Sequence, residues 1–354
     1  MLIVSIPRGQ LLGEEDIYDM SLDDILNMEV TTASKKAELI SDAPAVVSVI
    51  NSVEIEELGV QSLSELMSYV PGFSVSDTYW KPAIITARGV KMTLYNDKTL
   101  MLINGVPAYD AMLEHYLDVI PVNAVKRIEI IRGPGSTLYG TNAFSAVINI
   151  ITWGAGSRDG QAAYMRLGSH DTRQAGASLG GSAGEVDYFF AADMRDDDGY
   201  LKEVTDEYGV TGEIQYEKDS HAFYSGLAYG DLTVNAGALF QKFGKFGPIP
   251  AFFAGNQLHR DAGKGHHQKF FINATHSIRL REHLNIRSTI HYDYIDKHSD
   301  IGSYAEQVGY HTLGIIDSTT PPDFYRFGGT VLQADLQLNY YYSGLLHLVG
   351  GFAA

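Results

Sequence analysis

Residues 131–152, IRGPGSTLYGTNAFSAVINIIT, decide the fold, because three glycines stand there within eight residues of one another. A phosphate-binding loop needs strand, loop and helix in that order, since the loop and helix amides must point at the anion. Here the run that begins at Ala146 has the branching of a strand and no helical spacing. The spacing of Gly133, Gly135 and Gly140 also fits neither nucleotide-binding fingerprint. The stretch therefore predicts two strands joined by a glycine-rich turn.

Composition limits the class of protein. The chain has 354 residues, enough for two or three domains, and its 36 glycines and 22 tyrosines are typical of a β-rich protein with many turns. The net charge of −17 argues against a nucleic-acid partner. Cysteine is absent, which excludes disulfides and thiolate metal sites. No stretch approaches the ~18 to 20 apolar residues of a membrane helix, and the start, MLIVSIPRGQLL, lacks a credible signal peptide.

The first half of the chain has an α+β pattern after a weakly patterned leader. Ser62 and Glu65 form a predicted capping box for a helix over 62–70. Asn51 is placed to cap a second short helix that ends at Gly59, and Asn104-Gly105 predicts a hairpin. Five segments have the composition of strands: 45–50, 83–88, 100–103, 125–131 and 146–152.

The pattern changes after a linker at 153–160. LTVNAGALF from Leu232, HLNIRSTIHYDYID from His283 and TVLQADLQLNYYY from Thr330 alternate apolar with polar residues. Strands of soluble sandwiches average only about five or six residues. Long strands that are apolar toward lipid and polar toward a wet lumen suit an outer-membrane barrel. Short turns also alternate with long polar loops, as such barrels require.

Taken together, these segments resemble the TonB-dependent outer-membrane receptors. The plug domain of that family is matched in order by SLDDILNMEVTTASKK, DAPAVVSVI, LSELMSYVPGFSV, ITARGV, LMLINGVP and VKRIEIIRGPGSTLYGTNAFSAVINIIT. The resemblance is strong over 21–152, and beyond that it rests on strand alternation alone. It implies a leader at 1–36, an α+β plug domain at 37–152, and antiparallel transmembrane β-barrel strands at 153–354.

We expect the barrel to be incomplete. Only about nine strand-like segments follow residue 160, whereas the family's barrel has ~22 strands. The final residues, GGFAA, also lack the terminal aromatic residue that the family uses in assembly. These departures predict a fragment, with an open sheet edge near its last strand.

The resemblance places a TonB box in the leader. This short segment pairs with the periplasmic protein TonB by strand addition, and here it comprises Met28, Glu29, Val30, Thr31 and Thr32. The alternative is a leader with no function. Because a box must reach its partner, we expect residues before Lys35 to pack poorly and to lack regular long-range pairing.

The resemblance also implies a latch between plug and barrel. Arg88 and Arg132 match family arginines that meet barrel glutamates, and the alternative is a pair of solvated strand-end charges. We expect the two residues to lie near each other, facing a wall that offers Asp293 and Asp335. Four glycines should let the plug chain turn within a crowded lumen: Gly89, Gly133, Gly135 and Gly140.

Other candidate sites are weaker. His266-His267 lacks a third metal ligand and suggests an exposed loop tip. Asp196-Asp197-Asp198-Gly199 has Met194 where a calcium loop needs its first ligand, so a solvated turn is favoured. No catalytic arrangement stands out, and no cofactor is implied.

Three classes of function therefore stay open. The resemblance favours active uptake of a scarce ligand across the outer membrane, a ferric siderophore first and cobalamin second. Its partners would be TonB with ExbB and ExbD, the ligand, and outer-membrane lipid. A passive porin-like channel should have no plug, and a soluble β-rich binding protein or enzyme should have shorter strands.

Overall fold

The computed structural model describes residues 2–5, 29–30, 32, 38–39, 41, 45–78, 81–89, 98–108, 117–140, 142–205, 211–244, 265–281, 283–299, 325–342 and 346–353. Within these ranges, no helix combines the length and the apolar character needed to cross a membrane.

Parts of the leader form regular pairs. Strand β1 (Leu2–Ser5) pairs antiparallel with residues 164–167, and β2 (Glu29–Val30) pairs with β3 (Glu38–Leu39). The expectation that residues before Lys35 lack regular long-range pairing is therefore wrong for β1, whereas the β2–β3 pair is local. The physical reason for the first pair is that an unpaired sheet edge presents a row of backbone donors and acceptors, which β1 satisfies.

The plug has the predicted α+β composition. Its elements in chain order are β4 (Val47–Asn51), α1 (Ser52–Leu58), α2 (Leu63–Ser68), β5 (Phe73–Thr78), β6 (Lys81–Ala87), β7 (Thr99–Ile103), β8 (Val106–Pro107), β9 (Val125–Arg132), α3 (Ser136–Tyr139) and β10 (Ala146–Thr152). One sheet has the order β4-β9-β10-β7-β8, and only its β10–β7 pair is parallel. Strands β5 and β6 form a separate hairpin.

Side-chain caps fix where both longer helices begin. The Asn51 side chain accepts from the Glu54 amide at 2.8 Å, and the Glu54 carboxylate accepts from the Asn51 amide at 2.9 Å. At α2, the Ser62 hydroxyl accepts from the Glu65 amide, but the Glu65 carboxylate accepts from the Gln61 amide instead. The complete capping box therefore lies at Asn51, and the one predicted at Ser62 is only half formed.

Strands β9 and β10 join through the glycine-rich segment as predicted, with one addition. The short helix α3 lies inside the turn, where only a loop was expected. Gly133 has a φ of +141°, which side chains of L-residues rarely adopt. A Cβ on Gly135 would lie 2.7 Å from the Val147 Cγ2 atom. Gly133 is therefore required by its backbone conformation, and Gly135 is required by its close packing against Val147.

Within the described ranges, eleven strands follow the plug. They are β11 (Gly160–Leu167), β12 (Arg173–Ala183), β13 (Val186–Asp196), β14 (Leu201–Thr205), β15 (Thr211–Gln215), β16 (Lys218–Tyr229), β17 (Leu232–Phe243), β18 (Gly265–Arg281), β19 (Leu284–Ser299), β20 (Tyr325–Tyr342) and β21 (Leu346–Ala353). Nine of them form an antiparallel sheet to which β1 adds an edge, in the order β1-β11-β12-β13-β16-β17-β18-β19-β20-β21. The described sheet is open, and β14 and β15 form a separate hairpin, so the predicted plug followed by part of an antiparallel barrel is confirmed.

The alternation of side chains gives this sheet two different faces. On β19, Ile290 is 58% exposed, whereas the next residue, His291, is 1% exposed. On β20, Leu332 is 71% exposed and Gln337 is buried. The outward face is thus apolar and the inward face largely polar, as the sequence predicted.

The inward face is not polar everywhere, because the plug and the sheet share one apolar core. Phe189, Leu239, Phe271 and Ile295 from the sheet belong to the same buried cluster as the plug residues. Plug members of this cluster include Ile55, Leu63, Leu66, Met67, Ile128, Ile130, Ile148 and Ile150. The wall therefore contributes to the hydrophobic stabilisation of the plug.

Around this core lies a docking seam made of side-chain to backbone hydrogen bonds. Each of four side chains donates to a carbonyl group on the other side: Arg166 to Val60 at 2.7 Å, Gln174 to Gln61 at 3.0 Å, Asn123 to Ala177 at 2.9 Å and Arg287 to Asn104 at 3.3 Å. An ion pair between Lys218 and Asp118, 3.4 Å apart, adds to the seam.

We predict that Gly135→Ala destabilises the plug by about 1–3 kcal/mol, because the added methyl group overpacks against Val147. Urea unfolding, followed through the fluorescence of the buried Trp153, measures the loss. The Gly135→Ala/Val147→Ala double variant should lose less than the sum of the two single changes, because the contact is relieved. Strict additivity would contradict the packing interpretation.

Candidate functional site

The candidate site is centred on a polar pair inside the plug sheet. Glu129 on β9 and Asn149 on β10 are directly opposite each other, and both are at most 1% exposed. Their strand neighbours Ile128, Ile130 and Ile148 point into the shared core, so the polar pair lies on the other face of the sheet. A carboxylate buried this deeply is costly unless hydrogen bonds surround it.

A residue of the leader supplies those bonds. The Thr32 amide and hydroxyl both donate to Glu129 Oε2, at 3.0 and 2.5 Å, and Asn149 Nδ2 donates to the Thr32 hydroxyl at 2.9 Å. Arg127 lies on the same strand as Glu129 and binds its other oxygen at 2.7 Å. We call these four residues, together with Tyr139, the leader clip, because they hold the leader against the sheet.

Tyr139 completes the clip from α3. Its hydroxyl donates to the Thr32 carbonyl oxygen at 2.9 Å. Burial first, and then the nearby charge of Glu129, raises the pKa of the Tyr139 phenol above its ordinary value. The phenol therefore keeps its proton and remains a donor at neutral pH.

The clip is connected to the barrel wall through one turn. The Gly105 amide donates to Asn149 Oδ1 at 3.0 Å, and the preceding residue, Asn104, accepts from Arg287 of β19 through its carbonyl oxygen. The Asn104 side chain also donates to Thr152 at 2.9 Å and to Tyr224 of β16 at 3.3 Å. The sequence identified this turn as a hairpin but gave no sign of its position between wall and leader.

The predicted TonB box lies partly inside this arrangement. Val30 and Thr32 are fully buried, and Glu29–Val30 forms β2. Met28 and Thr31 lie outside the described residues. The leader was expected to pack poorly, but here it is anchored because Thr32 satisfies a buried carboxylate. A partner that binds this segment must first detach it.

The second predicted site brings its two arginines together. Arg88 is exposed with a φ of +54°, and its Nη2 atom donates to the Arg132 carbonyl oxygen at 2.8 Å. In the part of the chain that the structure describes, neither guanidinium forms an ion pair with a carboxylate. Asp293, which was expected to be available, is paired with Lys269 at 3.0 Å. The carboxylate partner of the latch therefore stays a prediction.

The plug glycines named from the sequence occupy strained or crowded positions. Positive φ angles occur at Gly89, Gly133 and Gly140, at +67°, +141° and +74°. Gly135 differs from these three, because it has an ordinary φ and is required by its contact with Val147.

The weaker candidate sites look different in three dimensions. His266 and His267 do not form a loop tip but begin β18, where His267 is buried against Phe243 and His266 faces the opposite side of the sheet. Asp197 is not simply solvated, since it accepts from Arg195 and from the Gly199 amide. Among the described residues, no three His, Asp or Glu side chains are arranged to hold a metal ion.

We predict that Thr32→Val opens the clip. The change keeps the shape of the side chain but removes a hydroxyl that bonds to two buried groups, at a cost of about 1–3 kcal/mol. Amide hydrogen exchange at residues 29–39 should therefore become about ten- to a hundred-fold faster. Thr86→Val on β6 is the matched control and should leave this exchange unchanged. Equal protection in both variants would show that Thr32 does not anchor the leader.

Comparisons with known proteins agree on the plug. Residues 39–147 match the family model described as TonB-dependent Receptor Plug Domain. Vitamin B12 transporter BtuB of Vibrio vulnificus (strain CMCP6) is 32% identical over 151 residues, which is 42% of this chain and 24% of that protein. The iron-regulated outer membrane virulence protein of Vibrio cholerae (El Tor Inaba N16961) is 35% identical over 134 residues, 35% of this chain and 19% of that protein.

The fold comparison extends over nearly the whole chain. The pyoverdine outer membrane receptor FpvA from Pseudomonas aeruginosa PAO1 superposes with a TM-score of 0.68 at 16% identity, covering 92% of this chain and 48% of that one. The ferric-catecholate import receptor Fiu from E. coli K12 gives 0.57 at 15% identity, covering 89% and 50%. The chain thus matches about a quarter or less of the two curated relatives and about half of the solved structures.

Proposed function

We propose that this chain, whose residues 39–147 match the TonB-dependent Receptor Plug Domain, is part of an outer-membrane receptor of that family and acts in the energised uptake of a scarce ligand. TonB, driven by ExbB and ExbD, would pull on the leader at Met28–Thr32. The observation that carries this proposal is the leader clip, which joins that segment to the centre of the plug sheet through Thr32.

The geometry of the clip suits a mechanical signal. A pull on residues 28–32 acts first on the hydrogen bonds between Thr32 and Glu129, and only then on β4, the edge strand of the plug sheet. Detaching Thr32 leaves a buried carboxylate with fewer donors, so the anchored state is favoured until force or a partner compensates. Strand addition by a partner would use the backbone groups of β2.

The ligand is proposed as a ferric siderophore first and cobalamin second. The named relatives include both vitamin B12 transporters and an iron-regulated outer-membrane protein. The solved structures with the same fold include receptors for pyoverdine and for enterobactin.

A passive channel is the second candidate, and the structure gives it little support. The plug core includes Phe189, Leu239 and Ile295 of the wall, and the docking seam adds further bonds around it. An open pore would need this shared core to separate without an energy source.

The first test concerns the box. We predict that Val30→Pro abolishes energised uptake but leaves ligand binding unchanged, because proline removes an amide needed for strand addition. Uptake and binding of radiolabelled ligand by cells that carry the receptor measure the two effects. Leu39→Pro is the matched control: it disrupts the same β2–β3 pair but keeps the box, and uptake should persist. Normal uptake by the Val30→Pro variant would contradict the assignment of a TonB box to residues 28–32.

The second test concerns the proposed latch. We predict that Arg132→Ala loosens the plug and raises entry of large antibiotics, because the carboxylate proposed to face Arg132 would lose its partner, at a cost of a few kcal/mol. Arg132→Lys should rescue only in part, since lysine keeps the charge and loses the bidentate geometry. Antibiotic sensitivity of the outer membrane is the measurement. Unchanged sensitivity in both variants would mean that there is no latch.

A further inference from the structure

The first strand of the leader covers part of one edge of the wall. Strand β1 pairs antiparallel with the last four residues of β11, 164–167, and no other described strand pairs with that edge. β1 therefore lies at one end of the ten-stranded sheet, and β21 forms the other end. Among the described residues, the first half of β11, 160–163, pairs on one side only, with β12.

β1 is too short to be a lasting part of a membrane-spanning sheet. It has four residues, whereas a strand that crosses a bilayer needs about 9–11. Lipid cannot satisfy the backbone groups of an open edge, so a sheet that spans a membrane must close into a barrel. In a closed wall, β11 has to pair along its length with a strand longer than β1. Because β12 occupies the other edge of β11, β1 and that longer strand exclude each other.

The edge that β1 covers would favour association with other chains if it were left open. Met165 and Leu167 of β11 are 49% and 40% exposed, so the covered half of this strand is apolar on its outward face. An exposed edge strand with apolar side chains presents unpaired backbone groups, with which another chain can pair. β1 satisfies these backbone groups over 164–167 and thereby blocks such pairing.

β11 is docked to the plug while β1 covers its edge. Arg166 donates to the Val60 carbonyl oxygen at 2.7 Å, and the Tyr164 hydroxyl donates to the Asp193 carboxylate of β13. These two side chains stand on the inward face of the sheet, so their bonds do not involve the backbone edge along which β1 lies. The plug and this part of the wall can therefore assemble with β1 in place, and only closure of the barrel requires β1 to leave.

We propose that β1 guards the edge of β11 during assembly and is displaced by the wall strand that closes the barrel. β1 pairs with only four of the eight residues of β11, so a full-length partner forms more backbone hydrogen bonds and replaces it. The exchange belongs to folding and needs neither a ligand nor TonB. It frees the start of the leader, whereas Thr32 stays in the leader clip.

A disulfide that pins β1 to β11 tests the exchange. Val4 and Met165 are directly opposite each other, so their Cα atoms are about 4.5–5.5 Å apart, within reach of a disulfide. The chain has no cysteine of its own. The complete receptor with Val4→Cys/Met165→Cys is refolded from urea into detergent, and closure is measured as heat-modifiable migration on a gel. Under oxidising conditions the heat-modifiable form should be lost, and later addition of a reductant should restore it.

The matched control is Ala183→Cys/Val186→Cys, because these directly opposite residues join β12 to β13, a pair that closure leaves unchanged. This control should close equally well with and without its disulfide. Ile3→Pro/Val4→Pro removes amides from β1, so it should close normally but form more oligomers during refolding, measured by light scattering. Normal closure of the oxidised Val4→Cys/Met165→Cys variant would overturn the proposal. So would failure of its disulfide to form while that of the control forms, or unchanged light scattering by the proline variant.

Discussion

The burial of the Glu129 carboxylate is the constraint on which the candidate site depends. A carboxylate at the centre of a sheet must be surrounded by donors, and Arg127 supplies two of them from the same strand. Thr32 supplies two more, its amide and its hydroxyl, from 97 residues away in the chain. Asn149, opposite Glu129 on β10, and Tyr139 of α3 both bind Thr32 and so hold it beside the carboxylate. One buried charge thus organises the leader, the glycine-rich segment and two strands.

Local signals in the sequence predicted most of the plug. Asn51, Gly59, Ser62 and the Asn104-Gly105 turn determine backbone geometry within a few residues, so their effects can be read without knowing the fold. The alternation in β17, β19 and β20 predicted which side chains face outward for a similar reason, since its period is two residues. The resemblance supplied the order of the domains.

The sequence could not predict the leader clip. Nothing near Thr32 distinguishes it from any other threonine in a polar leader, because its partners are on β9 and β10. At Ser62 the sequence predicted a complete capping box that forms only in part. The Glu65 carboxylate accepts from the amide of Gln61 and not from that of Ser62.

The docking seam has a consequence for how such a receptor changes over generations. Its four long-range bonds end on carbonyl groups of Val60, Gln61, Ala177 and Asn104, and every amino acid has a carbonyl group. Substitutions at the accepting positions therefore keep the bonds as long as the backbone keeps its course. Plug loops can then change in sequence while the fit between the two domains is inherited unchanged.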